Sequence, residues 1–220
     1  METMSTRKSG FFRKSILLWG RRNFRNFLWR NTKDPYVALV AEILLQHTTA
    51  AQVSAVFSGY LRLFPNTEAL ARARISQIQR VIRPLGKIHR AAQLKQLSKL
   101  LMEQYAGRVP STYQQLMELP AIGRYSAASV LNAVFGRNLP VVDSNINRVF
   151  SRFFLTDWTE EDVKRHREPW DFAKSLLPKA GAHRYNLYLL DFAALVCAKG
   201  RPRCQICPLS SACPSRLPEA

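Results

Sequence analysis

The 220-residue sequence predicts an all-α protein. Three observations predict it. Apolar residues recur at helical spacing through most of the chain. Period-two alternation is almost absent, the one candidate strand being Leu139–Val142. No low-complexity tract or fixed-period repeat breaks the pattern. A 47% hydrophobic content suits a packed globular chain, and the length suits one large domain or two small ones.

The elements follow in order. Phe11, Phe12, Trp19, Phe24, Phe27 and Trp29 read as core for a domain built partly from the N-terminus. Val37, Val40, Ala41, Leu44 and Leu45 form the first clear helical stripe. Val53, Val56, Phe57, Tyr60, Leu61 and Phe64 form the next, which Pro65 stops. Leu94, Leu97, Leu101 and Tyr105 form a third, followed by Gly107 and Pro110. Further helices are expected over residues 112–118, 124–135, 145–154, 169–177 and 184–197, while the polar segment 155–168 is expected to be a loop.

Charge narrows the partner. Lys and Arg number 33 against 15 Asp and Glu, a net charge of +18, which points to a polyanion. Residues 1–33 hold nine cations and one acid, Glu2. No acid lies between Glu68 and Glu103, where Arg72, Arg74, Arg80, Arg83, Lys87, Arg90, Lys95 and Lys99 occur. Such single-sign segments read as surfaces that meet phosphates. No apolar run reaches the ~18 residues of a membrane span. The patch Ile16–Trp19 is shorter than a signal-peptide core and lacks a cleavage site, so a cytoplasmic protein is expected.

Three segments carry chemistry. In Leu119–Ala128, a short helix gives way at Ala121, Ile122 and Gly123 to a second helix opening at Arg124. Free N–H groups at such a helix start bind anions, and in a basic chain the expected anion is a DNA phosphate. In Val141–Arg148, Asp143 precedes a helix. It reads as an N-cap, as a carboxylate able to face a developing cation, or as both. Finally, Cys197, Cys204, Cys207 and Cys213 are spaced C-x6-C-x2-C-x5-C. Zinc sites usually show two close pairs, whereas four thiolates on one compact loop suit a [4Fe–4S] cluster.

Taken together, this order of hairpin, aspartate and cysteine array resembles the helix-hairpin-helix DNA glycosylases of the endonuclease III type, from about residue 28 to residue 213. The resemblance implies two helical domains flanking a DNA-binding cleft. The first, residues 30–137, is a six-helix domain carrying the hairpin. The second joins residues 1–29 and 138–220 and holds the cluster. Members that cut the strand carry a Schiff-base lysine just after the hairpin glycine, where this chain has Tyr125, so efficient lyase chemistry is not expected. Tyr125, the run Ala41–Ala50 and Leu190–Ala193 are most similar to the thymine-DNA mismatch glycosylases, which remove T or U opposite G.

On that resemblance Asp143 stabilises the sugar cation, Glu42 serves as acid or hydrogen-bond partner, and Tyr125 walls the base pocket. Gln46, His47, Lys87 and Ile88 are expected to fill the gap in the duplex or touch the opposite base. Ala121, Ile122, Gly123 and Arg124 are expected to bind DNA. The hairpin usually carries glycine where this chain has Ala121, which is strained if φ is positive there. Asp191, on an apolar helical run, is expected to be structural or to support a site residue. The expected partner is double-stranded DNA bearing a mismatched or damaged base, bound by a cytoplasmic, nucleoid-associated monomer. Two other readings stay open: an adenine glycosylase acting on A opposite G or 8-oxoguanine, and a non-catalytic iron–sulfur DNA-binding protein. The chain stops soon after the cysteines, which weighs against the adenine enzymes and their extra C-terminal domain.

Overall fold

The computed structural model describes residues 2–218, and the chain folds as two compact units. Residues 1–25 and 137–220 form the terminal unit, and residues 26–136 form the central unit. All regular structure among the described residues is helical. Among them, no helix is long and apolar enough to cross a membrane.

Helix α1 (Glu2–Asn23) opens the terminal unit. The central unit follows with α2 (Pro35–Leu45), α3 (Ala50–Leu63), α4 (Thr67–Arg72), α5 (Ile75–Ile82), α6 (Arg90–Tyr105), α7 (Tyr113–Met117) and α8 (Arg124–Val134). That is seven helical segments where the resemblance implies six. The terminal unit resumes with α9 (Ser144–Phe154), α10 (Glu160–Arg165), α11 (Glu168–Ser175) and α12 (Ala182–Leu195).

In the central unit α2 is the buried axis, packed against α3, α6 and α8. Asp34 caps its start, accepting from the Tyr36 amide at 2.8 Å, and Pro35 sits where no amide is needed. Ala38, Leu39, Val40, Ala41, Ile43 and Leu44 are all buried, so α2 is apolar around most of its circumference and Glu42 stands out as the exception. Each such Leu or Ile contributes about 1.5–3 kcal/mol by leaving water.

In the terminal unit α1 lies along α12. Trp19 meets Phe192 edge-on at 5.5 Å, and Phe24 meets Tyr188 at 5.8 Å. Gly20 permits this approach, because a Cβ there would fall 2.0 Å from the Tyr188 ring. Phe12 joins Phe150, Phe153 and Phe154 in an aromatic cluster with α9. Asp191 is fully buried and accepts from the Arg25 amide at 3.0 Å and from its Nε at 2.6 Å. This confirms its structural role: it ties the end of α1 to α12.

Several expectations are corrected. Segment 155–168 is not all loop. Thr159 caps α10, three acids fill its first turn, and Lys164 and Arg165 end it. Caps and dipole hold this short helix with a single buried apolar residue, Val163, which is too little for a stripe to show. Leu139–Val142 is no strand. It runs without a ladder, and its Leu139 carbonyl accepts from the Asn186 side chain at 2.9 Å. Trp29 belongs to the central core, meeting Phe57 at 5.2 Å. The cationic run is not one phosphate-facing surface. Lys95 donates to the Ala71 and Ala73 carbonyls, Arg72 pairs with Glu68, and Arg90 is buried.

Candidate active site and cysteine loop

In the central unit Glu42 lies halfway along α2 and is half-buried. Its Oε1 accepts from the Ser129 hydroxyl of α8 at 2.6 Å. Tyr125, also half-buried, precedes Ser129 by one turn on the same face of α8. The packing of α2 on α8 thus gathers a carboxylate, a hydroxyl and a phenol on one side. Ser129 was missed by sequence reasoning, although its i+4 spacing from Tyr125 carried the signal.

The hairpin joins α7 to α8. Buried Leu119 and Ile122 pin it, leaving Gly123 exposed as the N-cap of α8 with no side-chain cap. The φ of Gly123 is −106°, ordinary for any residue, and a Cβ there would meet nothing within 4 Å. Glycine therefore answers no need inside the fold at this position. The left-handed residue is Ala121, at φ +62°. Its carbonyl accepts from Gln46 Nε2 at 2.7 Å, which joins the hairpin to the turn after α2. In that turn His47 is exposed and also left-handed, at φ +52°. Lys87 and Ile88 lie in a separate turn before α6, with Ile88 44% exposed.

In the terminal unit Asp143 is the N-cap of α9. Its Oδ1 accepts from the Ile146 amide at 2.7 Å, and its Oδ2 accepts from Asn145 Nδ2 at 2.9 Å. Asn145 Oδ1 accepts in turn from Arg148 Nη1 at 3.0 Å. Arg148 Nε and Nη2 reach the carbonyls of Cys197 and Ala193, each at 3.0 Å. A chain of hydrogen bonds therefore runs from the Asp143 carboxylate to the start of the cysteine loop. Burial pulls the Arg148 guanidinium below its usual range. Asn145 and Arg148 were also missed, though both lie within a turn and a half of Asp143.

The four cysteines are free thiols that line one cavity after α12, together with Arg152. Arg152 donates to the Ala198 carbonyl at 2.8 Å and lies 3.5 Å from Cys197 Sγ. Burial pushes the Cys207 thiol up to about 11, reinforced by its three cysteine neighbours. Among the described residues no three Cys, His, Asp or Glu side chains converge closely enough to hold one metal ion. A four-iron cube spreads its thiolates more widely than an ion does. A shared, arginine-flanked cavity lined by all four cysteines fits that larger group.

Residues 40–172 match the HhH-GPD superfamily of base excision DNA repair proteins, more than half of the chain. The chain belongs to that superfamily. Among its HhH-GPD relatives, the thymine/uracil-DNA glycosylase of Methanothermobacter thermautotrophicus is 34% identical, the match covering 97% of this chain and 96% of the relative. The thymine-DNA glycosylase of Aeropyrum pernix is 38% identical over 91% of this chain and 92% of its own. The solved structure of a thermostable thymine-DNA glycosylase superposes with a TM-score of 0.89 at 34% identity, covering 96% of this chain and 98% of that one. The all-α fold, the hairpin and a role in base excision repair of DNA are those of an HhH-GPD protein.

Proposed function

We propose that this chain is a monofunctional DNA glycosylase that removes thymine or uracil opposite guanine by hydrolysing the N-glycosidic bond. The observation that carries this reading is its full-length likeness to thymine- and uracil-removing enzymes. Tyr125 supports it, since a phenol at this position, one turn before Ser129 on α8, gives no amine for a Schiff base.

The roles follow from chemistry. Breaking the bond leaves an oxocarbenium-like sugar and a departing base anion. Asp143, fixed through both oxygens, faces the developing cation and orients the attacking water. Glu42 hydrogen-bonds the extruded base or the water through a carboxylate steadied by Ser129. Tyr125 packs against the base. Gln46, His47, Lys87 and Ile88 occupy the gap left in the duplex. Ala121, Ile122, Gly123 and Arg124 present the uncapped start of α8 to a phosphate, and the open space over Gly123 leaves room for it. Extrusion costs a few kcal/mol and is cheapest at a mismatch, which favours a mismatched base before any pocket contact.

Cys197, Cys204, Cys207 and Cys213 would hold a [4Fe–4S] cluster, which in this reading ties the loop after α12 into one unit. Residues 30–137 act as the hairpin domain, and residues 1–29 with 138–220 act as the cluster domain. The protein works as a cytoplasmic, nucleoid-associated monomer on double-stranded DNA.

The test is strand cleavage of duplexes holding T·G, U·G, A·G and A opposite 8-oxoguanine, each with and without alkali. Cleavage of T·G and U·G only after alkali is the expected result. Cleavage without alkali overturns the monofunctional reading, and cleavage of the adenine duplexes alone overturns the pyrimidine one.

A further inference from the structure

The cationic run between Glu68 and Glu103 contains one arginine that does not meet solvent. Arg90 is 2% exposed. Its Nη1 donates to the Leu44 carbonyl at 2.8 Å, 46 residues earlier in the chain. None of the ion pairs among the described residues involves it. Burying a cation without an acid is costly, and the guanidinium is accordingly pulled below its ordinary range by burial. What compensates is the negative end of a helix dipole. Leu44 lies in the last turn of α2, which has no basic residue of its own there.

Two turns meet at this contact. Arg90 is the first residue of α6 and directly follows Lys87–Ile88–His89. Its amide donates to the Lys87 carbonyl at 3.1 Å, and the Ala91 amide donates to Ile88 at 3.0 Å. At the other end, the Thr48 hydroxyl returns to the same Leu44 carbonyl that Arg90 holds. Gln46 and left-handed His47 lie between them in sequence. One guanidinium therefore bolts the turn at residues 46–48 to the turn at residues 87–89. Each turn presents an exposed tip, His47 in one and Ile88 in the other.

We propose that Arg90 is a positioning residue for base extrusion: it fixes the spacing of the two turns that hold the duplex open around the extruded nucleotide. This rests on the glycosylase reading, because it needs both turns to enter DNA. A side chain that only supported the fold would lower every activity together. A positioning residue separates substrates by how much opening they require. A paired uracil needs both turns, whereas a uracil in an unpaired bubble is already unstacked.

The experiment compares the native chain with Arg90→Met and Arg90→Lys. Single-turnover rates are measured on U·G duplex and on uracil in a three-nucleotide bubble. In an Asp143→Asn background, 2-aminopurine beside the mismatch reports unstacking on binding. Arg90→Met is expected to slow the duplex reaction by at least about tenfold while changing the bubble reaction by less than about twofold. The 2-aminopurine signal falls in parallel, and Arg90→Lys, which keeps a donor for Leu44, restores most of both. Equal losses on the two substrates overturn the proposal, as does a duplex rate and fluorescence signal left at native values. If Arg90→Met does not fold, the duplex-to-bubble ratio of Arg90→Lys decides, a fall supporting the proposal and an unchanged ratio overturning it. A native chain that releases uracil from neither substrate overturns the glycosylase reading instead, and the 2-aminopurine comparison still decides the role of Arg90.

Discussion

Asp143 of the terminal unit and Glu42 of the central unit are both half-buried carboxylates, but they are held in different ways. Asp143 accepts from a backbone amide and from Asn145, which is itself tied to a guanidinium anchored on two carbonyls. Glu42 meets the neutral hydroxyl of Ser129. The first arrangement fixes the carboxylate in one place. In the second the partner is a hydroxyl, which rotates to give or to accept a hydrogen bond. One carboxylate is held by a backbone amide and an anchored side chain, the other by a rotatable hydroxyl.

The contrast breaks most sharply at Asp143. Asparagine keeps the cap but removes the charge, so Asp143→Asn is expected to slow uracil release at least about 100-fold while stability changes by less than about 1 kcal/mol. Single-turnover rates and a thermal melt check both halves, and a rate near native would remove Asp143 from the chemistry. A smaller effect is expected on the other side. Ser129→Ala leaves Glu42 without this donor and should slow release by roughly tenfold, the scale of one hydrogen bond to a charged group. The same substitution should leave melting of the terminal unit unchanged. The smallest effect sharpens the comparison from the backbone. Ala121→Gly relieves a left-handed alanine beside the Gln46 contact and should raise stability by about 1 kcal/mol. A lowered melting temperature would show that the hairpin needs the methyl group.

How legible each part was in the sequence depends on what marked it. Helices α2, α3, α6 and α8 announce themselves because each buries a stripe of large side chains. Helices α4 and α10 do not, being six residues each and held by caps. The cysteine array is legible from its spacing, and Asp143 as an N-cap from the helix that follows it. Arg90 misleads, because nothing local distinguishes a cation that turns inward to a carbonyl 46 residues away from one that meets solvent. The strained position at Ala121 could be anticipated from the glycine usual there. That Gln46 holds its carbonyl could not, because the contact joins residues 75 apart in the chain.

The Arg25–Asp191 pair has a consequence for biosynthesis. Its partners are 166 residues apart, and they close α1 onto α12. Helix α1 thus leaves the ribosome well before its partners, exposing Phe12, Ile16 and Trp19 until α9 and α12 have been made. Residues 26–136, which form the other compact unit, are complete in the nascent chain well before then. The terminal unit has to wait until α12 has been made. The many cations and absence of acids over residues 6–25 keep that waiting segment in solution, since like charges oppose its self-association.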